Sequence, residues 1–191
     1  MDGSHPAQST MNYIIYDLEA TCWPHRPEDR KQEIIEIGAV RINRYGEVTG
    51  SFNKFVKPIL FPRLSPFCME LTSIEQYQID RSREFPEVIE LFQDWAGILD
   101  DEDYLLCSWG KFDRTMLAQD CRLHDLDEEW TDEHINLKKQ YQTMKRMRVP
   151  RGLARTVEKE GFEFTGIHHR AISDAENLAK IFLKYFEEWE T

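Results

Sequence analysis

The chain has 191 residues, a formal net charge of −11, and a composition of 41% hydrophobic and 12% aromatic residues. This length and composition are typical of one globular domain with a substantial core and atypical of a disordered chain. The acidic excess argues against extensive wrapping around duplex nucleic acid, which requires many basic side chains on the phosphate backbone. No apolar run could span a bilayer and no signal peptide opens the chain, so we expect no membrane association.

Residues 1–10 are small and polar, and Met11 fits a natural start. We interpret 1–10 as a flexible leader or an expression remnant, and 11–191 as a single domain. None of the four cysteines, at positions 22, 68, 107 and 121, belongs to a C-x-x-C pair. This spacing favours core thiols of a reducing, cytoplasmic protein over a zinc site or a disulfide framework.

The predicted elements of the first half are three strands and a short helix, at 13–16, 32–42, 48–56 and 71–79. Gly46 provides the turn of an antiparallel hairpin between the second and third strands. A proline-punctuated loop separates the third strand from the helix.

In the second half, strands alternate with helices: helix 85–99, strand 104–107, helix 112–123, a brief strand at 135–137, and helices 138–147, 153–160 and 173–189. Ser173 and Glu176 have the spacing of a capping box at the start of the last helix. A hairpin followed by alternating strands and helices predicts a mixed α/β sheet with helices on its faces.

Two carboxylates, Asp17 and Glu19, follow the first apolar strand at i and i+2. Alternate side chains of a strand share a face, so the two carboxylates lie close enough to share a cation. A buried, unpaired carboxylate is very costly, and a hard divalent metal ion would compensate both charges. The alternative is that Asp-x-Glu merely ends a strand at the surface.

Three further residues extend this candidate site. Asp113 follows the strand 104–107 at the carboxyl end where α/β sheets collect their sites, although a lone aspartate there is often a helix cap. Asp174 falls in the first turn of the last helix, where the helix dipole favours an ionised carboxylate. His169, in the preceding loop, suits a general base, with a hydrogen-bonded loop histidine as the alternative.

Three segments resemble the Exo I, Exo II and Exo III motifs of the DEDDh 3′-to-5′ exonucleases: Asp17-Leu18-Glu19-Ala20-Thr21, Phe112-Asp113 with Leu117, and His169-x4-Asp174. The resemblance covers about 13–186 and is greatest to the Eri-1-like branch, whose members trim RNA 3′ ends. The segments that carry it are 33–38, 55–58, 64–68 and 71–74. Many relatives have His-Asn-Ala where this chain has Ser108-Trp109-Gly110. The adjacent His168 is a second candidate base, but the spacing to Asp174 favours His169.

The resemblance implies a ribonuclease-H-like α/β fold, whose mixed five-stranded sheet has three antiparallel strands followed by parallel ones and is flanked by helices. It also implies two Mg²⁺ or Mn²⁺ ions, roughly 3.5–4 Å apart. Their ligands would be Asp17, Glu19, Asp113 and Asp174. His169 would deprotonate the attacking water, and a nucleoside 5′-monophosphate would leave.

Substrate contacts are predicted beside the motifs. Phe67 and Trp109 lie in loops where an aromatic face could stack on the terminal base, although both could simply close the rim of the core. Ala20, Thr21 and Thr72 belong to motif segments and are further candidates for substrate binding.

The stretch 136–157 contains seven Lys or Arg and no Asp or Glu, which leaves −18 for the rest of the chain. We expect part of this basic segment, including Arg148 and Arg151, to contact the nucleic-acid backbone. The alternative is a solvated helix face that balances the acidic helices.

Three functions fit the sequence: a metal-dependent exoribonuclease, a DNA-directed 3′-to-5′ exonuclease, and a catalytically silent nucleic-acid-binding module. The complete set of four acids and a histidine disfavours the silent module. The expected partner is a single-stranded 3′ end. RNA is favoured over DNA only through the Eri-1-like segments, because 2′-hydroxyl contacts have no signature in one sequence.

Overall fold

The computed structural model describes residues 11–191 except Arg26, Glu28 and Asp101. The predicted leader, 1–10, lies outside the described residues. Six strands form one sheet in the spatial order β4-β3-β2-β1-β5-β6. Their bounds are Asn12–Ala20 (β1), Ile34–Asn43 (β2), Val48–Lys57 (β3), Arg83–Glu84 (β4), Tyr104–Ser108 (β5) and His134–Asn136 (β6).

The described chain contains seven α-helices and two short 3₁₀ turns. The helices are Pro66–Thr72 (α1), Gln76–Asp80 (α2), Phe85–Ala96 (α3), Phe112–Leu123 (α4), Leu137–Met144 (α5), Leu153–Lys159 (α6) and Ala171–Lys184 (α7), and the turns are Glu129–Asp132 and Phe186–Glu188. Across the ranges that the structure covers, no helix combines the length and apolarity needed to cross a membrane.

The pairing of the strands confirms the predicted mixed α/β sheet. β2 pairs antiparallel with both β1 and β3, whereas β5 pairs parallel with both β1 and β6. The predicted number of five strands was wrong, because β4 adds a two-residue parallel edge beside Val56 and Lys57. Two residues are too few for an alternating pattern, so the sequence carries no signal for this strand.

Two helix predictions need correction. The helix predicted at 71–79 is two helices, α1 and α2, because Ser73 takes the left-handed conformation (φ 57°) that ends α1. The predicted capping box at Ser173 is wrong, since α7 already begins at Ala171 after its N-cap Arg170. Ser173 lies inside the helix, and its hydroxyl oxygen accepts a hydrogen bond from the backbone N–H of Ile167.

The two faces of β1 belong to two different core layers. Tyr16 and Leu18 point into a cluster with residues of α3 and α4, including Phe92. Ile15 points to the opposite face, where it packs in a cluster with Leu178 and other residues of α7. Because side chains alternate along a strand, Asp17 and Glu19 emerge on the same face as Ile15, which is the face that α7 covers.

The contact between β2 and α7 depends on a glycine. Gly38 pairs with Asp17, and a Cβ atom at Gly38 would lie 2.1 Å from the backbone N of Ile172.

We therefore expect Gly38→Ala to lower the free energy of unfolding by about 3 kcal/mol and to displace the start of α7. Urea unfolding measures the loss. Gly152→Ala is the control, because no atom lies within 4 Å there; a similar loss in both variants would contradict the steric explanation.

Candidate active site

The structure brings together acidic side chains from three distant parts of the chain. Asp17 and Glu19 lie near the end of β1, and Asp174 lies in the first turn of α7. One carboxylate oxygen from each of these three residues lies within 4.8 Å of the others. Asp113, in the first turn of α4 and only 5% exposed, lines the same cavity. All four predicted acids therefore meet at one place.

This catalytic cavity has a volume of about 600 Å³. Beside the four acids and His169, it is lined by Leu18, Ala20, Cys22, Trp23, Pro24, Pro27, Arg30, Gln32, Phe67, Leu71, Trp109 and Phe112. Its walls are apolar and aromatic around an acidic centre, a composition typical of ligand sites in enzymes.

Buried hydrogen bonds fix the position of Asp113. Its Oδ1 accepts a hydrogen bond from the backbone N–H of Leu18 at 3.2 Å. Burial raises the pKa of Asp113 to about 6, although hydrogen bonds from its own N–H and from the N–H of Leu18 oppose the rise. The hydroxyl of Ser108 donates to the carbonyl oxygen of Gly110 at 3.1 Å, and its oxygen lies 2.9 Å from Nε2 of His134. The backbone of β1 therefore holds the Asp113 carboxylate in the cavity.

The crowded carboxyls favour protonation in the absence of cations. Burial, followed by the charges of Asp174 and Glu36, raises the pKa of Glu19 to about 9. The pKa of Asp17 is raised well above its usual value by burial and then by Asp113. A set of buried or half-buried carboxylate oxygens with no thiolate among them suits hard divalent cations such as Mg²⁺ or Mn²⁺. The donor set therefore fits the metal ions that the motifs imply.

The two adjacent histidines have different environments. His169 lines the cavity, with its backbone in the left-handed region (φ 61°) and its N–H donating to Nδ1 of His168 at 3.0 Å. Burial and then His168 lower the pKa of His169, so its imidazole is neutral near pH 7 and able to accept a proton. His168 is exposed, does not line the cavity, and places Nδ1 3.2 Å from Oδ1 of Asp174.

A buried ion pair that we did not predict anchors the start of α7. Glu36 is fully buried, and its carboxylate accepts hydrogen bonds from Nε and Nη2 of Arg170 and from the backbone N–H of Ala171. The pair ties β2 to the segment between His169 and Asp174. An acid within an apolar strand was a usable sequence signal, because a buried carboxylate needs a partner.

The aromatic candidates lie on the cavity wall. Phe67 is 36% exposed, and Trp109 is half-buried against Tyr141 with ring centroids 5.6 Å apart. Sequence reasoning missed Phe112, which is 42% exposed and lines the cavity directly before Asp113. An exposed aromatic residue inside a catalytic motif was the signal that could have identified it.

Four predicted substrate contacts lie outside the cavity lining. Thr21 is buried and its Oγ1 accepts a hydrogen bond from the N–H of Glu33, while the hydroxyl of Thr72 is buried and donates to a carbonyl of α1. Arg148 and Arg151 belong to the loop between α5 and α6. Of the smaller candidates, only Ala20 lines the cavity.

The chain also matches a known family over most of its length. A family model described as Exonuclease (RNase_T) matches residues 14–182. The chain belongs to the exonuclease family. Its likeness to human 3′-5′ exoribonuclease 1 is 32% identity over 195 residues, covering 97% of this chain and 55% of that protein. This exonuclease-family chain thus spans about half the length of the curated relative.

Solved exonuclease structures confirm the fold. The nuclease domain of 3′hExo, a DEDDh family member, bound to rAMP, superimposes with a TM-score of 0.84 at 31% identity, covering 93% of this chain and 92% of that one. A 3′-exonuclease described in 3′-end-specific recognition of a histone mRNA stem-loop gives 0.85 at 29% identity, covering 95% and 84%. The predicted resemblance to DEDDh exonucleases of the Eri-1-like branch is therefore confirmed.

Proposed function

We propose that this exonuclease-family chain hydrolyses RNA from single-stranded 3′ ends and releases nucleoside 5′-monophosphates. The observation that carries the proposal is the convergence of oxygens of Asp17, Glu19 and Asp174 within 4.8 Å, in a cavity that Asp113 and His169 also line. We propose RNA rather than DNA as the substrate because the relative with 32% identity is named an exoribonuclease. The complete set of acids with a neutral histidine supports catalysis rather than silent binding.

Asp17, Glu19, Asp113 and Asp174 would hold two Mg²⁺ or Mn²⁺ ions. When bound, such a pair stabilises both the attacking and the leaving oxygen of an in-line phosphoryl displacement. The contribution of the chain is to hold four oxygen donors in place: the N–H of Leu18 holds Asp113, and the ion pair of Glu36 with Arg170 fixes the start of α7.

His169 acts as the general base in this proposal. Its lowered pKa leaves an unprotonated imidazole at neutral pH, which can take a proton from the attacking water. Its stacking on His168, with ring centroids 4.1 Å apart, limits the orientations of the imidazole ring.

The four free thiols of Cys22, Cys68, Cys107 and Cys121 fit a reducing, cytoplasmic location.

The exposed aromatic rings of the cavity wall would stack on the terminal base. Phe67→Ala and Phe112→Ala should each raise KM for single-stranded RNA about tenfold, equivalent to ~1.4 kcal/mol, because each removes a stacking surface. The value of kcat should change much less, since neither side chain carries a catalytic group. Steady-state kinetics on an RNA oligomer measure both constants. Tyr45→Ala is the control, because Tyr45 is 64% exposed and outside the cavity lining; unchanged KM in both phenylalanine variants would exclude stacking.

The basic segment 136–157 would contact the RNA backbone outside the cavity. Arg148 and Arg151 do not line the cavity, so their proposed role is limited to nucleotides further from the 3′ end.

Degradation of end-labelled oligomers tests the proposed function. RNA and DNA, each single- or double-stranded and labelled at the 3′ or 5′ end, are incubated with Mg²⁺, Mn²⁺ or EDTA. We expect single-stranded RNA to shorten from its 3′ end, with nucleoside 5′-monophosphates as products and no reaction in EDTA. Faster degradation of DNA would favour the DNA-directed alternative, and binding without hydrolysis would favour the silent module.

A further inference from the structure

The catalytic cavity contains an arginine–aromatic cluster that the proposed function does not use. Trp23 and Arg30, from the loop after β1, line the cavity together with the catalytic acids. The Trp23 ring meets Phe61 edge-on, with centroids 5.1 Å apart, and the Arg30 guanidinium lies 5.3 Å and 5.6 Å from the centroids of the two rings. We call these three residues the arginine shelf.

Arg30 has an unusual electrostatic position. Among the described residues that line the cavity, it is the only Lys or Arg, and it faces a space that four carboxyls also line. Among the described residues, Arg30 forms no ion pair. Because the two rings meet edge-on, the guanidinium can lie flat on at most one of them, and its N–H edge can donate to an anion. The exposed side chain of Arg30 therefore presents a cation with N–H donors to the cavity.

The number of phosphates at a nucleic-acid 3′ end indicates which anion Arg30 could bind inside the cavity. The scissile phosphodiester, which joins the terminal nucleotide to its neighbour, belongs at the acidic centre. The terminal nucleotide of a strand with a 3′-hydroxyl carries no other phosphate. A second phosphate within the cavity must then come from the neighbouring nucleotide of the same strand. Proteins that bind single-stranded nucleic acid combine a cationic contact to the phosphate backbone with an aromatic ring, because every base can stack on such a ring.

We infer that the arginine shelf is a second nucleotide subsite. The N–H edge of Arg30 binds the phosphodiester one nucleotide upstream of the scissile bond, and Trp23 stacks on the adjoining base. This inference rests on the proposed function and adds that the chain recognises at least two nucleotides of a 3′ end within the cavity.

Comparison of a one-nucleotide and a ten-nucleotide substrate tests the subsite. The first is the p-nitrophenyl ester of uridine 5′-monophosphate, which lacks an upstream nucleotide, and the second is a uridine decamer with a 3′-hydroxyl. Arg30→Gln and Trp23→Ala should each raise KM for the decamer about tenfold and KM for the ester much less, because the ester has no upstream phosphodiester and no upstream base. Arg30→Gln should also reduce the slope of log KM against log salt concentration by about 0.7.

Arg81→Gln is the matched control, because its guanidinium lies 5.8 Å from the Tyr77 ring on an exposed surface outside the cavity lining. Equal impairment on ester and decamer would place the terminal nucleotide on the shelf and overturn the inference. Unchanged decamer kinetics would overturn it as well. If the parent protein hydrolyses neither substrate, the proposed function itself fails, and the inference fails with it.

Discussion

Replacement of Asp17 by asparagine should abolish hydrolysis and, in EDTA, raise the midpoint of thermal unfolding. We expect kcat to fall at least about 1,000-fold, equivalent to ~4 kcal/mol of transition-state stabilisation, because a cation ligand at the acidic centre is lost. The rise in stability has a different cause. Without cations, Asp17 is half-buried beside Asp113, Asp174 and Glu19, and each of these charges disfavours its ionised form. A neutral amide removes that repulsion, and about 1 kcal/mol would raise the midpoint by about 2–4 °C.

The measurements are steady-state hydrolysis of an RNA oligomer with Mg²⁺ or Mn²⁺ and thermal unfolding in EDTA. Asp120→Asn is a matched control, because Asp120 is also a buried acid, with Oδ2 accepting from the N–H of Ile34, but lies outside the cavity lining. Its activity should stay within about threefold of the parent. Substantial activity in Asp17→Asn, or a lower unfolding midpoint in EDTA, would contradict these assignments.

In the absence of metal ions, the free energy of unfolding should decrease as pH rises from about 4.5 to about 9. The folded state raises the pKa of Glu19 to about 9 and that of Asp113 to about 6, whereas unfolded carboxyls lose their protons near pH 4. Between these values the folded state binds more protons than the unfolded state, so deprotonation favours unfolding. Each additional bound proton contributes a slope of about −1.4 kcal/mol per pH unit. Below the unfolded pKa both states are protonated, and this destabilisation disappears.

Urea unfolding at pH 6, 7.5 and 9, in EDTA and in saturating Mn²⁺, measures this slope. The proposed site would bind cations through its ionised carboxylates in the folded state, so Mn²⁺ should flatten the dependence of stability on pH and increase the stability at pH 9 most. In EDTA, Glu19→Gln should reduce the slope of the unfolding free energy against pH. Glu187→Gln should not, because Glu187 is exposed and outside the cavity lining. Stability in EDTA that increases between pH 6 and 9, or an unchanged slope in Glu19→Gln, would contradict the account.

The sheet was largely predictable because its strands carry strong patterns. The apolar run before Asp17 and the hairpin around Gly46 specify β1, β2 and β3, and alternation along β1 places Asp17 and Glu19 on one face. The break at Ser73 and the strand β4 were not predictable, because tertiary contacts rather than periodicity determine them. The start of α7 at Ala171 was missed for a related reason: the carboxylate of the distant Glu36 satisfies the N–H of Ala171, so no side-chain cap is needed nearby.

The acidic residues of the candidate site could be proposed from sequence because their motifs are local. Their surroundings could not, since the hydrogen bond from Leu18 to Asp113 and the position of Arg30 beside the acids arise only when distant segments meet. Thr72 shows how little a motif says about the surroundings of a side chain. Membership of a motif segment made it a substrate candidate, whereas its burial and its hydrogen bond to Cys68 give it a role within α1.

We propose that four carboxyls from β1, α4 and α7 form a site for two divalent cations beside His169. The most direct test is a crystal structure with Mn²⁺ and uridine 5′-monophosphate, in which anomalous scattering locates the cations. We expect two Mn²⁺ ions with ligands from Asp17, Glu19, Asp113 and Asp174, and the phosphate next to His169. A cavity without Mn²⁺, or cations bound by other side chains, would contradict the account.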